Sequence, residues 1–234
     1  NLVPRFYEAT GGEVLINGVS TREYEKDDLI KRIGFVPQRG MLFSGTIKSN
    51  IKFGAPNASD AQMRKAARIA QAESFIEKLP EKYNARIAQG GTNVSGGQKQ
   101  RLSIARAICK NPEIFVFDDS FSALDMKTDA RLRSALKEVT DSAVVLIVAQ
   151  RVSTIKDADQ IVVLNNGKVV GKGPHLELLN GCKIYQEIVK SQFSDKEYVA
   201  ELKKAQKYHN AKSASASQSD AIMDRPAAEG RAYA

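Results

Sequence analysis

The stretch Asn93-Val94-Ser95-Gly96-Gly97-Gln98-Lys99-Gln100-Arg101 decides the fold. Read locally, it opens a helix. Ser95 is a candidate N-cap, and Gln98, three residues on, completes a capping box. Leu102, Ala105 and Cys109 recur at helical spacing, with Ile108 beside them, on a face that a core can take up. This explains Ser95 and Gln98 but not Gly96 and Gly97, since each glycine costs a helix roughly 1 kcal/mol relative to alanine. Two glycines in a first turn suit a place where something approaches bare backbone. The free N–H groups of a helix N-terminus favour an anion there, phosphate above all.

Downstream, Ile114-Phe115-Val116-Phe117-Asp118-Asp119 is an apolar strand that ends in two carboxylates, and Ser122-Ala123-Leu124-Asp125 follows. With Ser-Gly-Gly-Gln before it, this combination resembles the nucleotide-binding domain of an ATP-binding cassette (ABC) transporter, in wording the exporter branch. The resemblance runs from residue 1 to about residue 190. It implies an α/β fold: a P-loop NTPase-like (RecA-like) parallel-sheet core with a helical subdomain and a partial antiparallel β subdomain. On that plan residues 1–46 are the N-terminal part of the core and β subdomain with the Q-loop. Residues 47–105 are the helical subdomain ending in the signature motif. Residues 106–192 are the C-terminal part of the core, with Walker B, D-loop and switch loop. Residues 193–234, charged and then low in complexity, are expected to be a disordered tail after a frayed helix.

Bulk properties agree with a soluble globular domain. The 234 residues carry a net charge of +8, but Lys and Arg are spread along the chain and aromatics are sparse, which argues against a nucleic-acid partner. Cys109 and Cys182 lie far apart without ligand-like neighbours, so neither a disulfide framework nor a cysteine metal site is expected. No apolar run approaches the roughly 18 residues of a membrane span. The longest, residues 143–149, fits a buried parallel strand. The opening Asn1-Leu2-Val3-Pro4-Arg5 is neither a signal peptide nor an initiator and reads as the middle of something longer.

Along the chain, residues 1–7 resemble the end of a helix, Asn17-Gly18 is a tight-turn signal, and helices are expected over 26–32, within 59–79, and over 128–139. Strands are expected over 33–36, 114–117 and 144–148, with a hairpin around Asn165-Asn166-Gly167. Met41, Leu42 and Phe43 follow a polar loop, and an exposed Leu-Phe pair there would suit docking of a short helix from a membrane partner, or could equally be core.

The resemblance assigns roles residue by residue. Gln38, in Val36-Pro37-Gln38, is the Q-loop glutamine, whose amide reaches Mg²⁺ and the attacking water. Asp118 holds Mg²⁺ through water. Asp119 stands where the family normally has the glutamate base; it is one methylene shorter, and a misplacement near 1 Å can cost about 100-fold of a benefit of roughly 10²–10⁴-fold. Gln150 stands at the switch position, normally histidine; it can donate a hydrogen bond to a γ-phosphate but cannot carry a proton or a charge. Gln89 replaces a usual acid. Ser95, Gly96, Gly97 and Gln98 would touch the ATP of a second ABC ATPase subunit paired head to tail, and Asp125 the opposite phosphate loop. Asp119 and Gln150 together resemble the degenerate site of a heterodimeric exporter.

No G-x-x-x-x-G-K-[ST] phosphate loop occurs in the sequence. In the family it lies just before residues like 1–7, so truncation is the simplest account, and this piece alone is expected to hold ATP poorly. The implied function is an ATP- and Mg²⁺-dependent ATPase subunit on the cytoplasmic face of the cell membrane, joined to a transmembrane domain fused upstream and to a different second subunit. The competing readings are a soluble ABC-type ATPase of DNA repair or chromosome structure and a non-hydrolysing regulatory subunit.

Overall fold

Short apolar runs, each closed by a polar residue or proline, pair side by side in the computed structural model, which describes the backbone of residues 1–223 and the side chains of residues 1–211. The chain divides into two compact units, Asn1–Gln150 and Arg151–Ala234, a boundary that falls inside the segment 106–192 of the sequence-based plan.

The first unit opens with turns. A helix end was expected over residues 1–7, but Arg5 takes a left-handed φ of 53°, which breaks an α-helical ladder. Its guanidinium donates instead to the carbonyls of Thr21 and Tyr24 at 3.0 and 3.1 Å. Strands β1 (Leu15–Ile16) and β2 (Val19–Ser20) form a hairpin whose two turn residues, Asn17 and Gly18, both have positive φ, as the tight turn requires. Helix α1 (Lys26–Arg32) carries acids in its first turn and bases in its last and leads directly into β3 (Ile33–Val36).

The helical part follows. Strand β4 (Gly45–Thr46) runs into α2 (Ile47–Ile51), then come α3 (Asp60–Ile69) and α4 (Glu73–Ile76), and β5 (Arg86–Ile87) returns to pair with β4. Thr46 and Ser59 cap α2 and α3 through reciprocal capping boxes. Helix α5 (Gly96–Lys110) ends at Asn111, a left-handed C-cap with φ 52°. Strand β6 (Ile114–Asp118), α6 (Met126–Thr140) and β7 (Val144–Val148) complete the unit.

The sheet of this unit is parallel, in the order β3-β6-β7, with Ile33 opposite Ile114 and Ile114 opposite Val144. That register brings the residues after all three strands to one edge. Strand β6 is the buried one, with Phe115, Val116 and Phe117 enclosed. Strand β7 was expected to be equally buried, and it is not: Val144 and Val148 are 66% and 51% exposed. A continuous apolar run has no alternation by which a half-covered strand can be told from an enclosed one.

The second unit holds α7 (Val152–Ile155), the hairpin of β8 (Ile161–Asn165) and β9 (Lys168–Gly173), α8 (His175–Gly181), α9 (Lys183–Gln192) and α10 (Asp195–Met223). The tail expected to be disordered is helical over Asp195–Met223, and Tyr198, Leu202 and Ala205, spaced four and three apart, pack it into the same core as Leu179, Tyr185 and Val189. Residues 224–234, the rest of that expectation, lie outside the described residues. Where α8 meets α10, His175 is 6% exposed; its Nδ1 is 2.7 Å from the Tyr185 hydroxyl and its Nε2 3.7 Å from the Glu201 carboxylate.

Burial pushes the His175 pKa below the ordinary histidine value, outweighing the pull of Glu201 in the other direction. The unfolded chain therefore binds the proton more readily than the folded one. Stability from this contact is complete above the unfolded value, about 6.5, and is lost as pH falls through the folded one. The melting temperature measured from pH 7.5 to pH 5 should fall more for the wild type than for His175→Gln. Equal slopes would place the acid lability elsewhere.

Candidate functional site

Asp119 follows the last residue of β6 with a φ of 46°, a left-handed conformation that aspartate tolerates better than most residues. The bend is strapped on both sides. The Asp119 N–H donates to Val148 O of β7 at 2.8 Å, and the Ser120 hydroxyl donates to Val36 O of β3 at 2.8 Å. The Ser122 hydroxyl closes the turn on Asp119 O at 2.8 Å.

So held, the Asp119 side chain is 8% exposed and points between the two flanking strand ends. Gln38 Nε2, after β3, donates to its Oδ2 at 3.1 Å, and Gln150 Nε2, after β7, donates to the same oxygen at 3.0 Å. Three residues separated by 81 and 31 positions thus meet at the carboxyl edge of a parallel sheet, where open α/β sheets take their ligands. Asp118, the last residue of β6, is half-buried, and its carboxylate has no hydrogen bond or ion pair among the described residues.

The second group of candidate residues lies at the start of α5. Ser95 is the N-cap: its hydroxyl oxygen accepts from Gln98 N–H at 3.3 Å, and Gln98 Oε1 accepts from Ser95 N–H at 2.9 Å. The capping box is formed, and the tip faces solvent at Ser95 and Gly96. A Cβ placed on Gly96 would meet nothing within 4 Å, and one on Gly97 would meet only Ala123 O at 3.5 Å, an ordinary contact. Among the described residues, nothing requires glycine at either position. Asp125 is the N-cap of α6, its Oδ1 accepting from Thr128 N–H at 2.9 Å. Hydrogen bonding from the Thr128 side chain, and after it from the Thr128 N–H, holds the Asp125 carboxyl below its ordinary value.

Several residues that frame these groups were not singled out from sequence. Arg101 reaches back to Gly97 O at 3.3 Å and across to Gln71 O at 2.8 Å, and lies over the Phe75 ring, so the first turn of α5 is tied to the turn between α3 and α4. Arg106 donates to Asn50 O, Asn50 Oδ1 and Met41 O, each at 2.9 Å. Burial pulls its pKa down to about 10, so it remains charged at neutral pH. Phe43 and Phe53 stack over it, centroids 4.3 Å apart, and are 43% and 60% exposed beside the exposed Met41. Of the expected exposed Leu-Phe pair, only Phe43 faces out; Leu42 is core at 4% exposure. The signal for Arg106 is polar spacing along α5: Gln100, Ser103 and Arg106 recur every three residues.

A family model described as "ABC transporter" matches residues 1–122. The chain belongs to the ABC transporter family. An uncharacterized ABC transporter ATP-binding protein of Mycobacterium bovis is 45% identical over 195 residues, 82% of this chain and 33% of that protein. A Staphylococcus aureus protein, provisionally named a multidrug export ATP-binding/permease protein, is 43% identical over 188 residues, 80% of this chain and 32% of that protein. The structure of a bacterial Atm1-family ABC exporter with ATP bound superposes with a TM-score of 0.79 at 37% identity, over 83% of this chain and 34% of that one. The ABC family chain therefore spans about a third of the length of these relatives. The α/β fold with a parallel-sheet core matches the ATPase domain of that exporter.

The left-handed bend makes Asp119 sensitive to side-chain shape as well as charge. Asp119→Asn keeps an oxygen acceptor and a residue that tolerates positive φ, and should change unfolding stability by less than about 1 kcal/mol. Asp119→Val loses both and should cost about 3 kcal/mol. Urea unfolding midpoints of the two variants give the comparison.

Proposed function

We propose that this chain is the ATP-binding part of an ABC exporter, working head to tail with a second ATPase subunit of different sequence. In this reading its Ser95–Gln98 tip completes the partner's site while its own water-activating group is blunted. The observation that carries the reading is the pair of glycines at a solvent-facing helix start, where no contact among the described residues explains them. A fifteen-residue helix presents its free N–H groups there. A second chain's γ-phosphate is the anion that the family resemblance offers.

The second half of the reading rests on Asp119. Its inner oxygen already accepts two amide hydrogen bonds, and the carboxylate is drawn in toward the strand ends rather than projected outward. A general base has to reach the proton it takes. Glutamate would extend one methylene further. Gln150 can orient a phosphate oxygen through its amide but supplies no proton.

Mg²⁺ suits the residues present. A hard cation wants oxygen ligands. Asp118 offers a carboxylate without partners among the described residues, and Gln38, whose Nε2 is engaged by Asp119, has its Oε1 left to face a cation. Bound Mg²⁺ would neutralise phosphate charge at this edge. Asp118 and Gln38 would hold it, and Asp119 would order the nearby water.

Coupling to transport needs a contact with a membrane domain. The exposed Met41, Phe43 and Phe53, backed by the half-buried Arg106, form an apolar patch next to the Q-loop that suits a short helix from a transmembrane domain. No helix among the described residues is long and apolar enough to cross a membrane. The cytoplasmic face of the cell membrane is the location this arrangement implies. The Asp119 geometry also favours a second reading, a regulatory subunit that binds nucleotide at the pair's interface and does not turn it over at its own site.

ATPase activity of the full-length protein with its partner tests the split. Ser95→Ala should lower total turnover by about 10²-fold, the order seen when one donor to a developing charge is removed. Asp119→Glu combined with Gln150→His should raise turnover at this chain's own site by at least about 10-fold. Unchanged turnover in Ser95→Ala would overturn the division of roles. No gain from the double change would favour the regulatory reading.

A further inference from the structure

The turn after β6 is tied to each neighbouring strand two residues short of the glutamine that the strand presents. On the β7 side the tie is backbone: Asp119 N–H donates to Val148 O at 2.8 Å, and Gln150 follows two residues on. On the β3 side it is a side chain: the Ser120 hydroxyl donates to Val36 O, also at 2.8 Å, and Gln38 follows two residues on. Any residue except proline at position 119 would supply the first tie. The second needs a short hydroxyl at position 120. Ser120 is enclosed, at 0% exposure, and its other acceptor, Asp118 O, lies at a long 3.4 Å. A buried hydroxyl is costly to leave without an acceptor, which keeps the tie to Val36 closed. Phe121, next in the chain, is buried and packs on Phe117 with ring centroids 5.1 Å apart, so the turn that carries Ser120 is anchored in the core. Pro37 stands between Val36 and Gln38, and its ring fixes φ, so a displacement of the Val36 carbonyl passes to Gln38 with little slack.

We propose that Ser120 is a positioning residue for ATP hydrolysis, its hydroxyl setting how far the end of β3 stands from the turn and so how closely Gln38 approaches Asp119. This deepens the ATPase reading above and rests on it. The two amides on Asp119 Oδ2 are placed by different means: Gln150 by a backbone tie, Gln38 by the side chain at position 120. Without the hydroxyl, the β3 end can draw back while the β7 end keeps its tie. Asp119 then keeps one amide and loses the other.

The test uses the full-length protein with its partner subunit. Amide hydrogen exchange without nucleotide is compared between wild type and Ser120→Ala. It should rise about 10-fold at Val36, the order expected for one lost hydrogen bond, and stay within about twofold across β7. Turnover is compared in the background of Asp119→Glu with Gln150→His, where this chain's own site is the one restored. There Ser120→Ala should lower kcat about 10-fold, since displacements near 1 Å cost up to about 100-fold, and leave KM for ATP within about twofold. Gln38→Ala should lower kcat at least as far. Adding Ser120→Ala to Gln38→Ala should cost nothing more, because the hydroxyl acts through that glutamine.

Exchange that rises equally in β3 and β7, or in neither, would overturn the proposal, as would kcat losses that multiply when Ser120→Ala and Gln38→Ala are combined. If the background variant gains no turnover, the hydrolytic reading of this site fails, and exchange in the otherwise wild-type chain still decides whether Ser120 holds the β3 end.

Discussion

A single helix face holds this unit together by supplying donors to backbone carbonyls of a strand, a loop and a helix end. Along α5, Gln100 serves Pro37 O, Arg106 serves Met41 O and Asn50 O, and Lys110 serves Ile33 O at 2.8 Å. Buried carbonyls at strand ends and in loops must find partners, because leaving them unpaired costs as much as a lost hydrogen bond. Side chains from one rigid rod meet that need for the start of β3, its end, the loop after it and the end of α2. All four are thereby measured from the same reference. The rod's apolar side, with Leu102, Ile104 and Ala105, is enclosed in the main core. Glycines at 34 and 40 mark where backbone comes closest: a Cβ at Gly34 would be 2.7 Å from Pro112.

This arrangement places the site as well as the core. The parallel register fixes the ends of β3, β6 and β7 at one level, but it does not make Gln38, Asp119 and Gln150 meet. That takes the left-handed turn at Asp119, which folds the carboxylate back between its neighbours. The turn is secured by hydrogen bonds to both adjacent strands, so moving either strand end moves the carboxylate. The site is therefore a property of three strand ends and one helix together.

How much of this the sequence could reveal follows from what kind of signal each feature leaves. The α5 start was legible because a capping box is local: Ser95 and Gln98 announce it at fixed spacing. The carboxylates were legible because an apolar strand ending in acid has few other uses. The shared oxygen of Asp119 was not, because it depends on one backbone angle and on two residues far away in the chain. The exposure of β7 was hidden by an unbroken apolar run, and the outward turn of Phe43 beside inward Leu42 by a one-residue alternation inside a loop. Composition misled at the C-terminal end, where charged and small residues suggested disorder, yet Tyr198, Leu202 and Ala205 are enough to seat α10. The polar ladder of Gln100, Ser103 and Arg106 was in plain sight, but its partners are carbonyls, which have no sequence signature.

Capping and ligand binding are usually weighed as rival explanations for a residue such as Ser95, and hydrogen-bond inventory removes the rivalry. A serine hydroxyl has one proton and two lone pairs. As an N-cap, Ser95 spends a lone pair on Gln98 N–H, at a long 3.3 Å, and its proton remains to be given. A phosphate oxygen is an acceptor, so it would use what the cap leaves over. The cap also narrows where that proton can point, because Gln98 N–H occupies one side of the hydroxyl oxygen while the bond from Ser95 N–H to Gln98 Oε1 holds the residue's backbone. Asp125 is built the other way. Its Oδ1 is committed to the first turn of α6, it has no proton to give, and whatever approaches Oδ2 must be a donor or a cation. One cap can therefore meet an anion and the other only a positive or N–H-bearing surface. That polarity is what the proposed head-to-tail pairing demands of these two positions.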